Sequence, residues 1–468
     1  MSTIDGIAAY VKCWHNAIEQ AKSSKDKRAS FMLSNGKRLD FIVREEYLGE
    51  GGQLKGSVID LEAAYKQCPI HPQDHKNSVL VMKDPESNEP AFFIATALPF
   101  GASGSVHGFN RLAAAINFMA HKECGLPVCN YFDDYTLILP KAVALEGDEF
   151  FREMLGCLGW PIKPSEESPM QDTFKVLGVM VDLKEVMTNK GELVVTNTEE
   201  RAKELKAVIQ KIFEEGSLSA AEASQLRGRL GFANSQTFGR EGAYAYLALG
   251  RRVAEGGSRA NLSRDLRVSL RWWLLHFDSA KPRKVRLSRG QTPVFLFTDG
   301  ACEDQGGQYP EADIGGVLYD PVDGFVDAFG DKLPPAILAK LSPGGVKRQV
   351  VGQAELFPCW AARVLWQDRL QGRPVVHFVD NESAKFALIK GTTGERTSAW
   401  ICQQYWRKEV ELESFSWLER VPSASNCADG PSRGATRALE FFKGGVEVKP
   451  VPPDLFERFI AEWERLPN

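Results

Sequence analysis

The sequence predicts an α+β fold: two mixed layers of strands and helices with a helical segment between them. Three observations carry this. Short apolar strands alternate with helical stretches from 56 to 183. Between 196 and 278 helical periodicity takes over, in three stretches in succession. After 293 the order is three strands, a helix, a strand, further helices and a last strand, the order of a mixed α/β layer.

Residues 1–55 are mixed and weakly patterned, except that "FMLSNGKRLDFIV" (31–43) suits a hairpin turning at Asn35-Gly36. In "GSVIDLEAAYKQCPI" (56–70) a short apolar run ends at Asp60. "ALPFGASGSVHGFNR" (97–111) is rich in small residues that let a backbone approach a ligand. "VCNYFDDYTLIL" (128–139) reads as a hairpin with Asp133 and Asp134 at or near its tip. In "TNTEERAKELKAVIQKIFEEGS" (196–217), Ala202, Leu205, Val208, Ile209, Ile212 and Phe213 fall on one helical face. "SLSAAEASQLRGRLGFAN" (217–234) opens with Ser219 and Glu222 at capping-box spacing, and "LSRDLRVSLRWWLLHF" (262–277) is a third helix, so a bundle is expected. Lys281, Arg283, Lys284, Arg286 and Arg289 crowd 279–292, beside Pro282. This reads as a basic linker, with a solvated linker weighed above phosphate contact. "PVFLFTD", "IGGVLYD" and "GFVDAFG" are strands, 349–366 is a helix, and "VVHFVD" and "FSWLERV" are the later strands. The tail, 436–468, reads as one amphipathic helix docked on the body.

The 468 residues suffice for two to four domains, and 43% hydrophobic with 25% charged residues is an ordinary globular balance. A net charge of −4 provides no global basic field, so any nucleic acid must be held by local patches. Nine scattered Cys without a CxxC pair argue against a zinc module or a disulfide framework, and for reduced thiols in an intracellular compartment. The first residues lack a signal-peptide profile. No apolar run approaches spanning length, so no membrane partner is expected.

Two sets of carboxylates carry chemistry. Adjacent Asp133 and Asp134 repel unless a positive group sits between them. An Asp in a turn is commonly just solvated. With strand-end Asp60, however, three carboxylates would hold Mg²⁺ through oxygen ligands, and two such ions stabilise attacking and leaving oxygens in phosphoryl transfer. The second set is Asp299 at a strand end, Glu355 inside a helix, Asp380 at another strand end and Asp429 in a loop after the last strand. A strand-terminal Asp is usually a cap or turn former. The order Asp, Glu, Asp, Asp on this frame is not generic.

These motifs resemble those of retroelement reverse transcriptases carrying a ribonuclease H domain. "YFDD" resembles the YxDD signature, "DLEAAY" motif A, and "LPFGASGS" with Phe109 motif B. "LGWPIK" and "FKVLGVMVDL" (174–183) look like the two motifs that follow, the latter like the primer grip. The resemblance implies a truncated fingers-like region (1–55), a right-hand polymerase palm (56–195), a helical thumb/connection (196–278), the basic linker (279–292), a ribonuclease H-like domain with a mixed five-stranded sheet (293–435) and the tail (436–468). It implies Asp60, Asp133 and Asp134 as catalytic metal ligands and Tyr65 as a steric gate against a ribose 2′-OH. Phe100, Gly101 and Ser105 would wall the template and incoming nucleotide, Lys163 would match the motif D lysine, and Gly178 would sit at the primer-grip turn or in a bulge. Arg38 is the best remnant of basic fingers, against an ordinary surface hairpin. Asp299, Glu355, Asp380 and Asp429 resemble the four ribonuclease H carboxylates.

Each set would bind two Mg²⁺, with Mn²⁺ as a substitute. The implied activities are RNA- and DNA-templated DNA synthesis and hydrolysis of RNA in hybrids. The implied partners are an RNA template, a DNA primer, an RNA–DNA hybrid and deoxynucleoside triphosphates; oligomeric state is not legible. "DNESA" and "NCADGPSR" resemble the ribonuclease H of DIRS-like retrotransposons and related algal or dinoflagellate elements. The loop "SASNCAD" lacks the His that many such domains carry, which implies slower turnover. Two rivals stand: a decayed or domesticated element acting as a nucleic-acid-binding scaffold, and a nuclease with an inactive polymerase half. The short N-terminal region favours the second and implies weak extension.

Overall fold

A computed structural model describes residues 4–163, 169–287, 291–342, 349–435, 437–438 and 445–464. The chain divides into two compact units, Met1–Thr198 with Lys284–Ser288, and Glu199–Arg283 with Arg289–Asn468.

The first unit opens with a helix where only weak patterning was expected. α1 (Ile4–Ser23) buries Ile4, Ile7, Val11 and Ile18 at helical spacing. Trp14 Nε1 ties it to the Ile138 carbonyl at 3.0 Å. β1 (Arg28–Met32) and β2 (Arg38–Ile42) form the expected hairpin, with Gly36 at φ +78° in the turn. β3 (Leu54–Asp60) follows, then a separate ribbon of β4 (Val79–Lys83) and β5 (Pro90–Ile94). After α2 (Ser103–Lys122) come β6 (Val128–Tyr131), β7 (Asp134–Pro140) and α3 (Lys141–Cys157). The antiparallel sheet runs β3–β7–β6. Tyr135 and Leu137 of β7 pack with Phe109, Ala113 and Ile116 of α2 and with Phe151 and Leu155 of α3. β8 (Thr173–Val176) and β9 (Val179–Asp182) turn at Leu177 (φ +49°) and Gly178 (φ +70°). Two left-handed residues suit a two-residue hairpin, so Gly178 is a turn residue and not a bulge. β10 (Glu192–Asn197) pairs with β9.

The second unit begins with a bundle of four helices, one more than periodicity indicated: α4 (Glu199–Glu215), α5 (Ala220–Ser235), α6 (Tyr246–Glu255) and α7 (Arg264–Ser279). A short ladder of β11 (Ser217–Leu218) with β12 (Ala260–Asn261) closes it. The capping box is present: Ser219 Oγ accepts from the Glu222 N–H at 3.2 Å, and Glu222 Oε2 from the Ser219 N–H at 2.9 Å. Leu205, Ile209, Leu226, Leu230, Leu249, Leu270 and Trp273 fill the core.

The basic stretch is not a solvated linker. It forms β13 (Arg283–Arg286), the edge of a sheet ordered β13–β10–β9–β8. Arg286 pairs with Glu192 at 3.5 Å, while Arg283 pairs with Glu409 at 3.2 Å and lies over the Phe415 ring. Arg289 lies outside the described residues.

The second layer comprises β14 (Val294–Glu303), β15 (Glu311–Asp320), β16 (Phe325–Lys332), α8 (Pro335–Leu341), α9 (Val351–Leu365), α10 (Gln367–Leu370), β17 (Pro374–Val379), α11 (Glu382–Lys390), α12 (Arg396–Glu411), β18 (Phe415–Arg420), α13 (Asp429–Ser432), β19 (Arg437–Ala438), β20 (Val446–Lys449) and α14 (Pro453–Glu464). The expected five strands are present, but the sheet has seven, ordered β18–β17–β14–β15–β16–β20–β19. The two additional strands come from the tail, where β20 pairs in parallel with β16. The tail also supplies the expected amphipathic helix: Phe459 of α14 sits 4.7 Å from the Phe357 ring and 4.9 Å from that of Trp400. α9 is the axis of the layer, with every residue from Gln353 to Arg363 buried.

Candidate active site

Asp299, Glu355 and Asp380 converge, each with a carboxylate oxygen within 4.8 Å of the others; among the described residues they are the one such group of three. Asp299 lies on β14, Glu355 on α9, and Asp380 follows β17, which runs parallel to β14. Gly300 permits the approach: a Cβ there would lie 2.2 Å from the Ala354 carbonyl oxygen. Pro358 in α9 has no N–H to give that carbonyl, so the helix is open on the side that meets β14. Asp429 starts α13, outside the group of three, and accepts from Arg433 Nε at 2.8 Å. Gly315 seats α13 against β15, since a Cβ there would meet the Ser432 nitrogen at 2.4 Å.

Two of the three carboxylates are nearly out of water, and Asp380 is partly buried. Asp299 is 5% exposed and Glu355 is 6% exposed. Glu355 Oε2 and Asp380 Oδ1 are buried without a hydrogen-bond partner. Two orphaned acceptors facing a group of like charges would cost several kcal/mol if ionised and uncompensated. Hard oxygen donors at this spacing are what a divalent cation takes, so the residues fit a Mg²⁺ site. Burial, with the charges of Asp380 and Asp299, pushes the Glu355 carboxyl up to about 8, although the Gly300 N–H and Asn381 pull it back. Burial also raises Asp299, against the hydrogen bond from Ser432.

These shifts give a pH dependence. A carboxyl raised in the folded state stabilises the fold fully below its unfolded pKa, and that stability is lost as pH rises through the folded value. The metal-free chain is therefore expected to melt several degrees lower at pH 8 than at pH 5.5. Mg²⁺ should raise the pH 8 melting temperature more than the pH 5.5 one, and Glu355→Gln should flatten the metal-free difference. Equal Mg²⁺ shifts at both pH values would refute the assignment.

A buried polar network backs the site. Thr298 Oγ1 meets His377 Nε2 at 3.0 Å and Cys359 Sγ at 3.2 Å. His377 Nδ1 meets the Tyr405 hydroxyl at 3.1 Å, and Arg363 Nη2 donates to that hydroxyl at 2.9 Å. Burial, with the Arg363 charge, lowers His377 to about 3, so its ring is neutral at working pH. Asn426 Nδ2 donates to the Thr298 carbonyl at 3.1 Å and pins the loop before Asp429. Ser432 Oγ donates to Asp299 Oδ2, and Asn381 Nδ2 to Glu355 Oε1 at 3.4 Å. Sequence reasoning named none of these partners. Only Ser432 and Asn381 had a signal, lying close in sequence to Asp429 and Asp380.

In the first unit, Asp60 ends β3 directly opposite Asp134 at the start of β7. Opposed residues of an antiparallel pair share a face. Asp133 occupies the β6–β7 turn after Phe132, whose φ of +54° is strained for a non-glycine residue. Lys163 Nζ lies 3.3 Å from Asp60 Oδ2. Burial raises the Asp133 carboxyl and the Lys163 charge opposes it. This trio does not close as Asp299, Glu355 and Asp380 do.

Tyr65, 7% exposed, follows β3 in a 3₁₀ turn, with its ring 4.8 Å from Phe109 and 5.0 Å from Phe100. Burial and the Asp133 charge both raise its hydroxyl. Phe100 is 70% exposed, and Gly101, at φ +87°, borders open space. Ser105 is buried within α2. Arg38 pairs with Asp40 on exposed β2 at 2.9 Å.

No protein-family model matches the chain, and no curated protein does. Among solved structures, ribonuclease H1 from the archaeon Halobacterium salinarum is 21% identical, covering 31% of this chain and 97% of its own, at TM-score 0.24. A foamy viral protease-reverse transcriptase in complex with an RNA/DNA hybrid is 10% identical over 87% of this chain and 73% of its own, at TM-score 0.29. The N-terminal ribonuclease H domain of a Mycobacterium tuberculosis protein, fused to maltose-binding protein, is 15% identical over 31% of this chain and 92% of its own, at TM-score 0.24.

Proposed function

We propose that the second unit hydrolyses RNA in RNA–DNA hybrids with divalent metal, and that the first unit carries a template-directed DNA polymerase site, as in a retrotransposon reverse transcriptase. The observation that carries this reading is the convergence of Asp299, Glu355 and Asp380 with two orphaned acceptor oxygens. Those three residues would hold Mg²⁺, with Asp429 as a fourth ligand. The bound metal would supply an activated water and neutralise charge at the leaving 3′-oxygen. Ser432 and Asn381 hold the Asp299 and Glu355 carboxylates in place. Asp60, Asp133 and Asp134 would hold the metals of the polymerase site, with Tyr65, beside Phe100, excluding the ribose 2′-OH.

One observation favours the second reading, a nuclease whose polymerase half is weak. Lys163 Nζ already engages Asp60, where a cation would bind. Primer extension on poly(rA) with dTTP and Mg²⁺, beside cleavage of a labelled hybrid, tests both halves. Asp133→Asn is expected to abolish whatever extension occurs and leave hybrid cleavage within twofold, because independent sites that share no partners act additively. Loss of both activities in a folded Asp133→Asn chain would refute the two-site reading.

A further inference from the structure

Helices α7 and α12, with the end of α14, enclose a cleft of about 480 Å³ within the second unit, the size of a small-ligand site. None of the seven carboxylates discussed above lines it. Trp272, Leu275 and Trp400 give it an apolar wall, and Trp272 stacks on His276 with ring centroids 4.8 Å apart and planes 14° apart. Gln404 also lines the cleft; it is 6% exposed, and its side chain makes no hydrogen bond among the described residues. Its amide reaches the open cleft, where it can both donate to and accept from a ligand.

The charge of the cleft has a definite sign. Each carboxylate on its wall is engaged: Glu241 with His276 at 3.1 Å, Glu411 with Arg407 at 3.1 Å and Lys408 at 2.5 Å, and Glu462 with Arg458 at 3.1 Å. Arg271 and Lys281 also line the cleft, and neither has an ion pair among the described residues. Lys281 belongs to the basic stretch whose Arg283 and Arg286 are spent on protein carboxylates.

We propose that this cleft binds a nucleotide. The base lies on Trp272, its polar edge meets the Gln404 amide, and its phosphate meets Arg271 and Lys281. A stacking platform beside free cations is the chemistry that holds nucleotides, whether free or within a single strand.

Isothermal titration of the full chain with AMP in EDTA tests this without either carboxylate set taking part. One saturable site per chain is expected, with adenosine and inorganic phosphate each at least tenfold weaker. Arg271→Gln and Gln404→Leu should each weaken AMP at least tenfold at unchanged melting temperature; replacing an unpartnered amide by an apolar group does not endanger the fold. Displacement of AMP by short oligodeoxyadenylate would assign the cleft to a strand, and no displacement to free nucleotide. Absence of saturable binding by AMP and oligonucleotide alike, or binding untouched by both substitutions, would overturn the proposal. Neither result bears on hybrid cleavage.

Discussion

Glu355→Gln is expected to lower hybrid cleavage by about 10³-fold, or about 4 kcal/mol of barrier, in a chain that stays folded. The Glu355 carboxyl is pushed up to about 8 by desolvation and by Asp380 and Asp299. Gln keeps the shape and the hydrogen bonding to Asn381 but removes the negative charge that a divalent cation needs. The same change relieves the repulsion within the group, so the metal-free variant should melt above the parent at pH 8. Single-turnover cleavage and a thermal melt on the same preparation check both halves. Cleavage within tenfold of the parent would remove Glu355 from the site.

The largest expected effect on stability is at Arg363. Its side chain is fully buried on α9, within reach of Glu409 at 3.3 Å, Ser414 at 3.0 Å, the Tyr405 hydroxyl at 2.9 Å and Ser416. Removing one partner of a buried ion pair leaves charge and hydroxyls desolvated, and typically costs 3–5 kcal/mol. Arg363→Ala is therefore expected to destabilise the second unit by about 4 kcal/mol, measured by urea unfolding. A loss under about 1 kcal/mol for Arg363→Ala would mean that the network is not a structural anchor.

Much of this was legible in the sequence because it is local. The Asn35-Gly36 turn, the Ser219 and Glu222 cap, and the strand-end positions of Asp60 and Asp380 each follow from neighbours a few residues away, whereas Asp299, expected at a strand end, lies inside β14 because pairing with β15 carries the strand on to Glu303. What escaped notice depends on distant partners. α1 interrupts its apolar stripe with His15, whose Nδ1 donates to the Val186 carbonyl across the unit. The arginines of β13 read as solvated because their carboxylates, Glu192 and Glu409, lie far off in sequence. The seventh and sixth strands form only because β20 finds β16. Nothing local marked Gly300 as the contact that brings β14 to α9, since its need for a bare Cα arises from Ala354. The carboxylate order was readable; the difference between a closed group at Asp299, Glu355 and Asp380 and an open one at Asp60, Asp133 and Asp134 was not.

The most direct test of the central claim is product analysis on uniformly labelled RNA annealed to DNA. The full chain in Mg²⁺ should cut only the RNA of the hybrid and leave 5′-phosphate and 3′-hydroxyl ends, since the attacking group is water and the 3′-oxygen departs. EDTA and Asp299→Asn should each abolish the fragments. Fragments ending in 2′,3′-cyclic phosphate, or the same fragments from Asp299→Asn, would contradict a metal-dependent hydrolytic site built on Asp299, Glu355 and Asp380.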